Sequence, residues 1–138
     1  MSFFVELVKA LSADVAAALS IDPAAVYLGR DPQKVTRTGL EVWIRPVDVE
    51  ASGRARLHVL ELRLRLKARR EGNLTGGRQL ELVLTGLDAL RARFDGRRPF
   101  VQTLPALIAT EAEHGALDHD AEDQDVLDGT LRLRVLEG

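Results

Sequence analysis

No cysteine occurs among the 138 residues. That excludes a disulfide framework and any thiolate metal site, and it leaves the redox compartment open. Aromatic residues make up only 4% of the chain against 46% apolar residues overall, so leucine, valine and alanine must fill the core. No apolar run approaches the roughly 20 residues that a membrane-spanning helix needs. The start, Met1-Ser2-Phe3-Phe4-Val5-Glu6, lacks the cationic leader of a signal peptide, and Glu6 interrupts its apolar run. The expectation is a soluble chain, not secreted by the usual route and with no membrane partner. No Gly-x-Ser-x-Gly elbow surrounds Ser2, Ser12, Ser20 or Ser52. Gly72-Asn73-Leu74-Thr75-Gly76-Gly77-Arg78 precedes a predicted helix but lacks the Lys-Ser/Thr pair of a nucleotide loop. Internal repeats and low-complexity tracts are also absent. At this length the chain reads as one domain spanning residues 1–138.

The strongest signal present runs from Leu57 to Phe94. Leu60-Glu61-Leu62-Arg63-Leu64-Arg65-Leu66-Lys67 alternates strictly, which predicts a strand with one leucine face and one charged face. That strand is predicted from Leu57 to about Arg69, long enough to twist or project beyond its sheet. Leu80, Val83, Leu84, Leu87, Leu90 and Phe94 then follow helical spacing, predicting a helix from Arg78 to Arg93 that Gly96 closes in a left-handed cap.

Upstream, Phe4, Leu7, Val8, Leu11, Val15 and Leu19 predict a first helix over Phe3 to Ser20, with Ser2 as its cap and Asp22-Pro23 as its stop. Short strands are predicted at Ala25–Gly29 and Leu40–Val47, the latter ending at Pro46 or lying at an edge. Ala106–Ala112 and Thr130–Leu136 are predicted as the last strands. The order implies an α+β fold: a mostly antiparallel sheet, two amphipathic helices packed on one face, and one long projecting β-hairpin.

Charge is unevenly placed. From Arg54 to Arg98 basic residues outnumber acidic ones by about two to one. Glu111, Glu113, Asp118, Asp120, Glu122, Asp123, Asp125 and Asp128 follow with no lysine or arginine among them. The stretch 118–128 is expected to be a flexible acidic loop, because its carboxylates repel one another. Arg63, Arg65, Lys67, Arg69 and Arg70 are expected on a bare strand face, as contacts for a neighbouring subunit or for DNA. Asp118, Asp120, Asp123 and Asp125 are the complementary candidates at a subunit interface. Trp43 is a candidate interface anchor, with packing inside the monomer as the alternative.

Metal chemistry is weakly supported. A calcium loop starting at Asp118 needs glycine sixth and glutamate twelfth, where Asp123 and Gly129 stand. His58, His114 and His119 show no ligand spacing. The reading is non-enzymatic, with no cofactor. A nucleic-acid-binding or adaptor module is the competing class, since the arginines can track phosphates. That face lacks stacking aromatics, and the isoelectric point near 5.9 also argues against a dedicated DNA binder.

In layout the chain resembles the tail terminator, or tail-completion, proteins of tailed bacteriophages and prophages. The resemblance rests on the N-terminal helix Phe3–Ser20, Val26-Tyr27-Leu28-Gly29-Arg30-Asp31-Pro32 and Leu40-Glu41-Val42-Trp43-Ile44. It continues through the long strand Val59–Lys67, the helix Leu80–Phe94, Glu113-His114-Gly115-Ala116-Leu117 and the closing strand Thr130–Val135. The acidic stretch 118–128 departs from the family pattern. The resemblance implies a structural role in the virion tail, with assembly in the host cytoplasm. It further implies a hexameric ring that caps the tail tube protein, meets the head-tail connector and lets DNA pass through its centre. A neck or head-tail joining protein is the related alternative.

Overall fold

The computed structural model describes residues 2–29, 39–68, 76–96 and 104–138. Within them the chain runs α1 (Phe3–Leu19), a 3-10 turn (Pro23–Ala25), β1 (Val26–Leu28), β2 (Glu41–Ser52), β3 (Ala55–Lys67), α2 (Gly76–Phe94), β4 (Leu107–His119) and β5 (Val126–Glu137). The strands form one sheet in the order β1-β2-β3-β5-β4. β1 and β2 are parallel; every other pair is antiparallel. The architecture is the expected α+β fold.

α1 starts where a serine can cap it. The Val5 N–H donates to Ser2 Oγ at 3.3 Å, satisfying one of the free donors at the helix start. It ends at Ser20, which adopts the left-handed conformation with φ 53°. Asp22 caps the following 3-10 turn, accepting from the Ala24 N–H. Leu7, Leu11 and Val15 are fully buried along one stripe. α2 buries Val83, Leu87, Leu90 and Phe94 in the same way, and Gly96 follows it with φ 65° as expected. Arg93 near the end of α2 grips Asp14 of α1 with two hydrogen bonds of 2.8 and 2.9 Å. That carboxylate raises the Arg93 pKa above its ordinary value.

The leucine face of β3 packs under both helices. Leu60, Leu62, Leu64 and Leu66 are buried, level with Leu133, Leu131, Gly129 and Leu127 of β5. His58 shares this face. It is 5% exposed, lies against the rings of Phe3 and Phe4, and has Nε2 2.8 Å from Glu137 Oε1.

Several expectations need correction. β3 pairs with β2 on one side and with β5 along Arg56–Lys67 on the other. Over that length the long hairpin lies inside the sheet. β2 runs beyond the expected Val47 to Ser52, with a bulge between Pro46 and Asp48; Pro46 itself lies where β2 has no outer strand among the described residues, the edge position expected of it. β4 begins where predicted but runs on to His119. A register shift between Leu107 and Ala109 breaks its simple alternation, so Leu107, Thr110 and Ala112 are all buried.

The stretch 118–128 is not one loop. Asp118 and His119 belong to β4, and Val126–Asp128 to β5. The turn between them is stitched by its own carboxylates. Asp120 Oδ1 accepts from the N–H groups of Glu122 and Asp123 at 2.8 and 3.1 Å, and Asp123 Oδ1 accepts from the Asp125 N–H at 3.1 Å. Acidity that suggests repulsion in the sequence supplies turn acceptors in the fold.

Candidate interaction surface

The sheet face away from the helices carries the charged residues singled out above. Register places them in rows across the strands. Glu41, Arg65, Asp128 and Asp118 form one row; Arg45, Glu61, Arg132 and Glu113 form another. Sign alternates along most of each row, so neighbouring strands neutralise one another.

Arg65 is the centre of this arrangement and is only 4% exposed. Its Nη2 donates to Asp120 Oδ2 at 2.5 Å, and its Nε lies 2.7 Å from Asp128 Oδ1. The guanidinium carbon sits 5.5 Å from the Trp43 ring centre, a cation–π distance. Tyr27 stacks on Trp43 with ring centres 4.4 Å apart and planes 9° from parallel. Trp43 is 3% exposed and is therefore spent inside the monomer. Lys67 pairs with Asp123 at 2.9 Å. Arg63 and Arg45 each reach Glu61 Oε1 at 3.4 Å.

The expected bare cationic face is thus corrected: its cations meet carboxylates of the same chain. Within the monomer Arg65 pairs with Asp120 and Asp128, and Lys67 with Asp123. Asp118 is exposed, and its Oδ1 accepts from the His119 N–H. Asp125 accepts at its backbone carbonyl from the Ala68 N–H just beyond β3, at 2.8 Å. Arg69 and Arg70 lie outside the described residues.

Environment splits the two carboxylates beside Arg65. Hydrogen bonds from the Glu122 and Asp123 N–H groups, with help from Arg65, hold Asp120 below the usual carboxylate range. Burial pushes Asp128 above it, partly offset by Arg65 and Arg63.

Gln79, which carries no distinguishing signal in the sequence, fastens this corner to α2. It is 2% exposed, and its Nε2 donates to the carbonyls of Leu66 and Asp125 at 2.6 and 2.7 Å. The Gln79→Ala variant is expected to lose about 1 to 3 kcal/mol of stability, from stranded buried carbonyls. Equilibrium denaturation against wild type measures this, and a loss of only a few tenths would show that the clamp is dispensable.

The three histidines land in separate places: His58 in the core, His114 opposite Asp88 of α2 at 3.5 Å, and His119 at the end of β4. Among the described residues no three metal-capable side chains come together, and no helix is long and apolar enough to cross a membrane. A depression of about 410 Å³ over the β4–β5 bulge is lined by Glu61, Arg63, Glu113, His114, Thr130 and Arg132, among others. Its walls carry mixed charge.

The two margins of the sheet offer more for association than its face. β1 covers β2 only at Val42–Ile44, so Arg45–Ser52 has no outer strand among the described residues. At the other margin the end of α2 covers the start of β4. The Gly96 N–H donates to Thr110 O at 2.9 Å, the Ala112 N–H donates to Asp95 Oδ1 at 3.1 Å, and the Thr110 hydroxyl donates to Phe94 O. Residues 113–119 are exposed along the rest of that margin.

No protein-family model matches the chain, and no curated protein matches it in sequence.

Proposed function

We propose that this chain is a structural assembly subunit of phage or prophage origin that caps a tail tube as an oligomeric ring and joins it to the head. One observation carries the reading. Among the described residues, a single open sheet is covered by helices on one face and has no further strand along two different margins, β2 beyond Ile44 and β4 beyond Ala112. Unlike margins on one subunit favour head-to-tail contacts, and such contacts close into rings when the rotation between copies allows. The layout resemblance adds the partner: the end of a tail tube on one side and the head connector on the other. The intramolecular pairing of Arg65 and Lys67 moves the subunit contact away from the charged face.

The test is co-expression with the tail-tube protein encoded in the same genome. Tubes of limited length with an added ring at one end are expected in electron micrographs. Tubes that elongate unchanged with bare ends, or a gene neighbourhood without tail and capsid genes, would overturn the reading.

A further inference from the structure

We propose that the depression over the β4–β5 bulge binds a small dipolar molecule of the free α-amino acid class, its carboxylate on Arg132 and its ammonium on Glu113. The sheet itself builds this site. β4 pairs with β5 without interruption from Ala109 to His114 and resumes at Leu117, so Gly115 and Ala116 bulge opposite Thr130. Position 115 takes a glycine because a Cβ there would collide with the Thr130 hydroxyl. That hydroxyl donates to the Ala116 carbonyl at 3.2 Å. These three small residues leave a hollow of about 410 Å³, within the range of small-molecule sites, about 300 to 1,000 Å³.

Four charged side chains wall the hollow: Glu61, Arg63, Glu113 and Arg132. Two of them are already answered. Arg63 reaches Glu61 Oε1 at 3.4 Å, and Arg45 reaches the same oxygen from β2. His114 also borders the hollow, but its ring lies 3.5 Å from Asp88 of α2. Arg132 and Glu113 differ. They are level on neighbouring strands and exposed, yet neither side chain has a hydrogen-bond or ion-pair partner among the described residues.

The balance of these walls selects the ligand. With two guanidiniums and two carboxylates around it, a simple anion or cation is attracted by one sign and repelled by the other. A molecule that carries both charges a few bonds apart meets both unanswered groups at once. The guanidinium fork of Arg132 takes a carboxylate through two parallel hydrogen bonds, and Glu113 accepts from an ammonium. Neighbouring strands lie about 4.8 Å apart, close enough for the two side chains to reach adjoining charges of one small molecule. The bare backbone at Gly115 and the methyl of Ala116 leave room for its side chain.

The site lies on the sheet face, so it stands or falls independently of the proposed assembly role. Glycine is the probe, with acetate and methylammonium as its two halves, all at matched ionic strength. In proton–nitrogen NMR titrations, glycine is expected to shift the Gly115, Ala116 and Thr130 amides saturably in the millimolar range, since exposed charges bind weakly. Neither half should saturate in that range. Arg132→Gln and Glu113→Gln should each abolish saturation by glycine; neither breaks an existing pair, and their spectra show whether they are folded. The double variant Glu111→Gln with Arg134→Gln changes the same residue types two positions along the same strands, outside the lining of the hollow, and should bind glycine as wild type does. No saturable shift with glycine, acetate or methylammonium as effective as glycine, or the same loss in the Glu111 and Arg134 variant would overturn the proposal.

Discussion

Replacing Arg65 by alanine is expected to cost about 3 to 5 kcal/mol, because it removes a buried guanidinium and leaves two half-buried carboxylates without their counter-charge. Asp120 and Asp128 have side chains only 23 and 17% exposed, against 5% for Arg65 itself. An exposed pair would be worth well under 1 kcal/mol. The pH dependence separates the two cases. Asp128 has its folded pKa raised by burial, so its contribution to stability is greatest in acid and falls as pH climbs from the unfolded value through the raised folded one. Asp120 has its folded pKa lowered, first by the Glu122 N–H. Its contribution is complete above the unfolded value and is lost as pH falls through the folded one.

Without Arg65, Asp128 loses the largest attraction opposing its burial and holds its proton to still higher pH. The penalty of Arg65→Ala should therefore be largest at neutral pH and shrink in mild acid. Urea denaturation of both proteins at the two pH values measures this. A penalty below about 1 kcal/mol, or one that acid leaves unchanged, would show that the cluster behaves as ordinary solvated surface.

Much of the fold is legible in local sequence, because local period and local packing agree. The alternation Leu60–Lys67 and the helical stripe Leu80–Phe94 each state their own buried face. Ser2 and Gly96 mark helix ends through chemistry that acts within a few residues.

The interaction surface is less legible, for a physical reason. Arg65 reads as exposed until β5 is aligned against β3, which brings Asp128 directly across from it. That register is set by leucines more than 60 positions away, and a shift of one residue would turn every partner to the other face. Trp43 is ambiguous in the same way, since its ring partner Tyr27 arrives through a parallel pairing with no local signal. The acidic turn misleads because repulsion between carboxylates can be estimated from sequence, whereas N–H donors within the turn and two cations on β3 become available only in the fold. Pro46 marks an edge position legibly but not the end of its strand, since a bulge carries the chain past the missing donor. One signal for the pairing does stand in the sequence: β3 and β5 both alternate leucine with arginine, and pairing them leucine to leucine sets Glu61 opposite Arg132.

Gly129 shows how closely α2 lies on the sheet beneath it. An alanine in a strand normally gains about 0.5 to 1 kcal/mol over glycine by restricting the unfolded chain. At Gly129 packing should reverse the sign. A Cβ there would stand 2.7 Å from Leu87 Cδ1, 2.9 Å from Val83 Cγ1 and 3.3 Å from Leu117 Cδ1. Level with it on β3 is Leu64, whose Cδ2 lies 2.7 Å from where a Cβ on Gly86 of α2 would be. Two glycines thus let α2 lie close on β3 and β5. Gly129→Ala is expected to destabilise by about 1 to 3 kcal/mol through overpacking. Leu87→Ala should cost about 2 to 5 kcal/mol through the cavity it leaves. The double variant should cost less than the sum of the two by about 0.5 to 3 kcal/mol, because the new methyl occupies space that Leu87 vacates. Strict additivity would mean that α2 shifts freely and that the close approach is incidental. Coupling would mean that α2 is held against the sheet at this point.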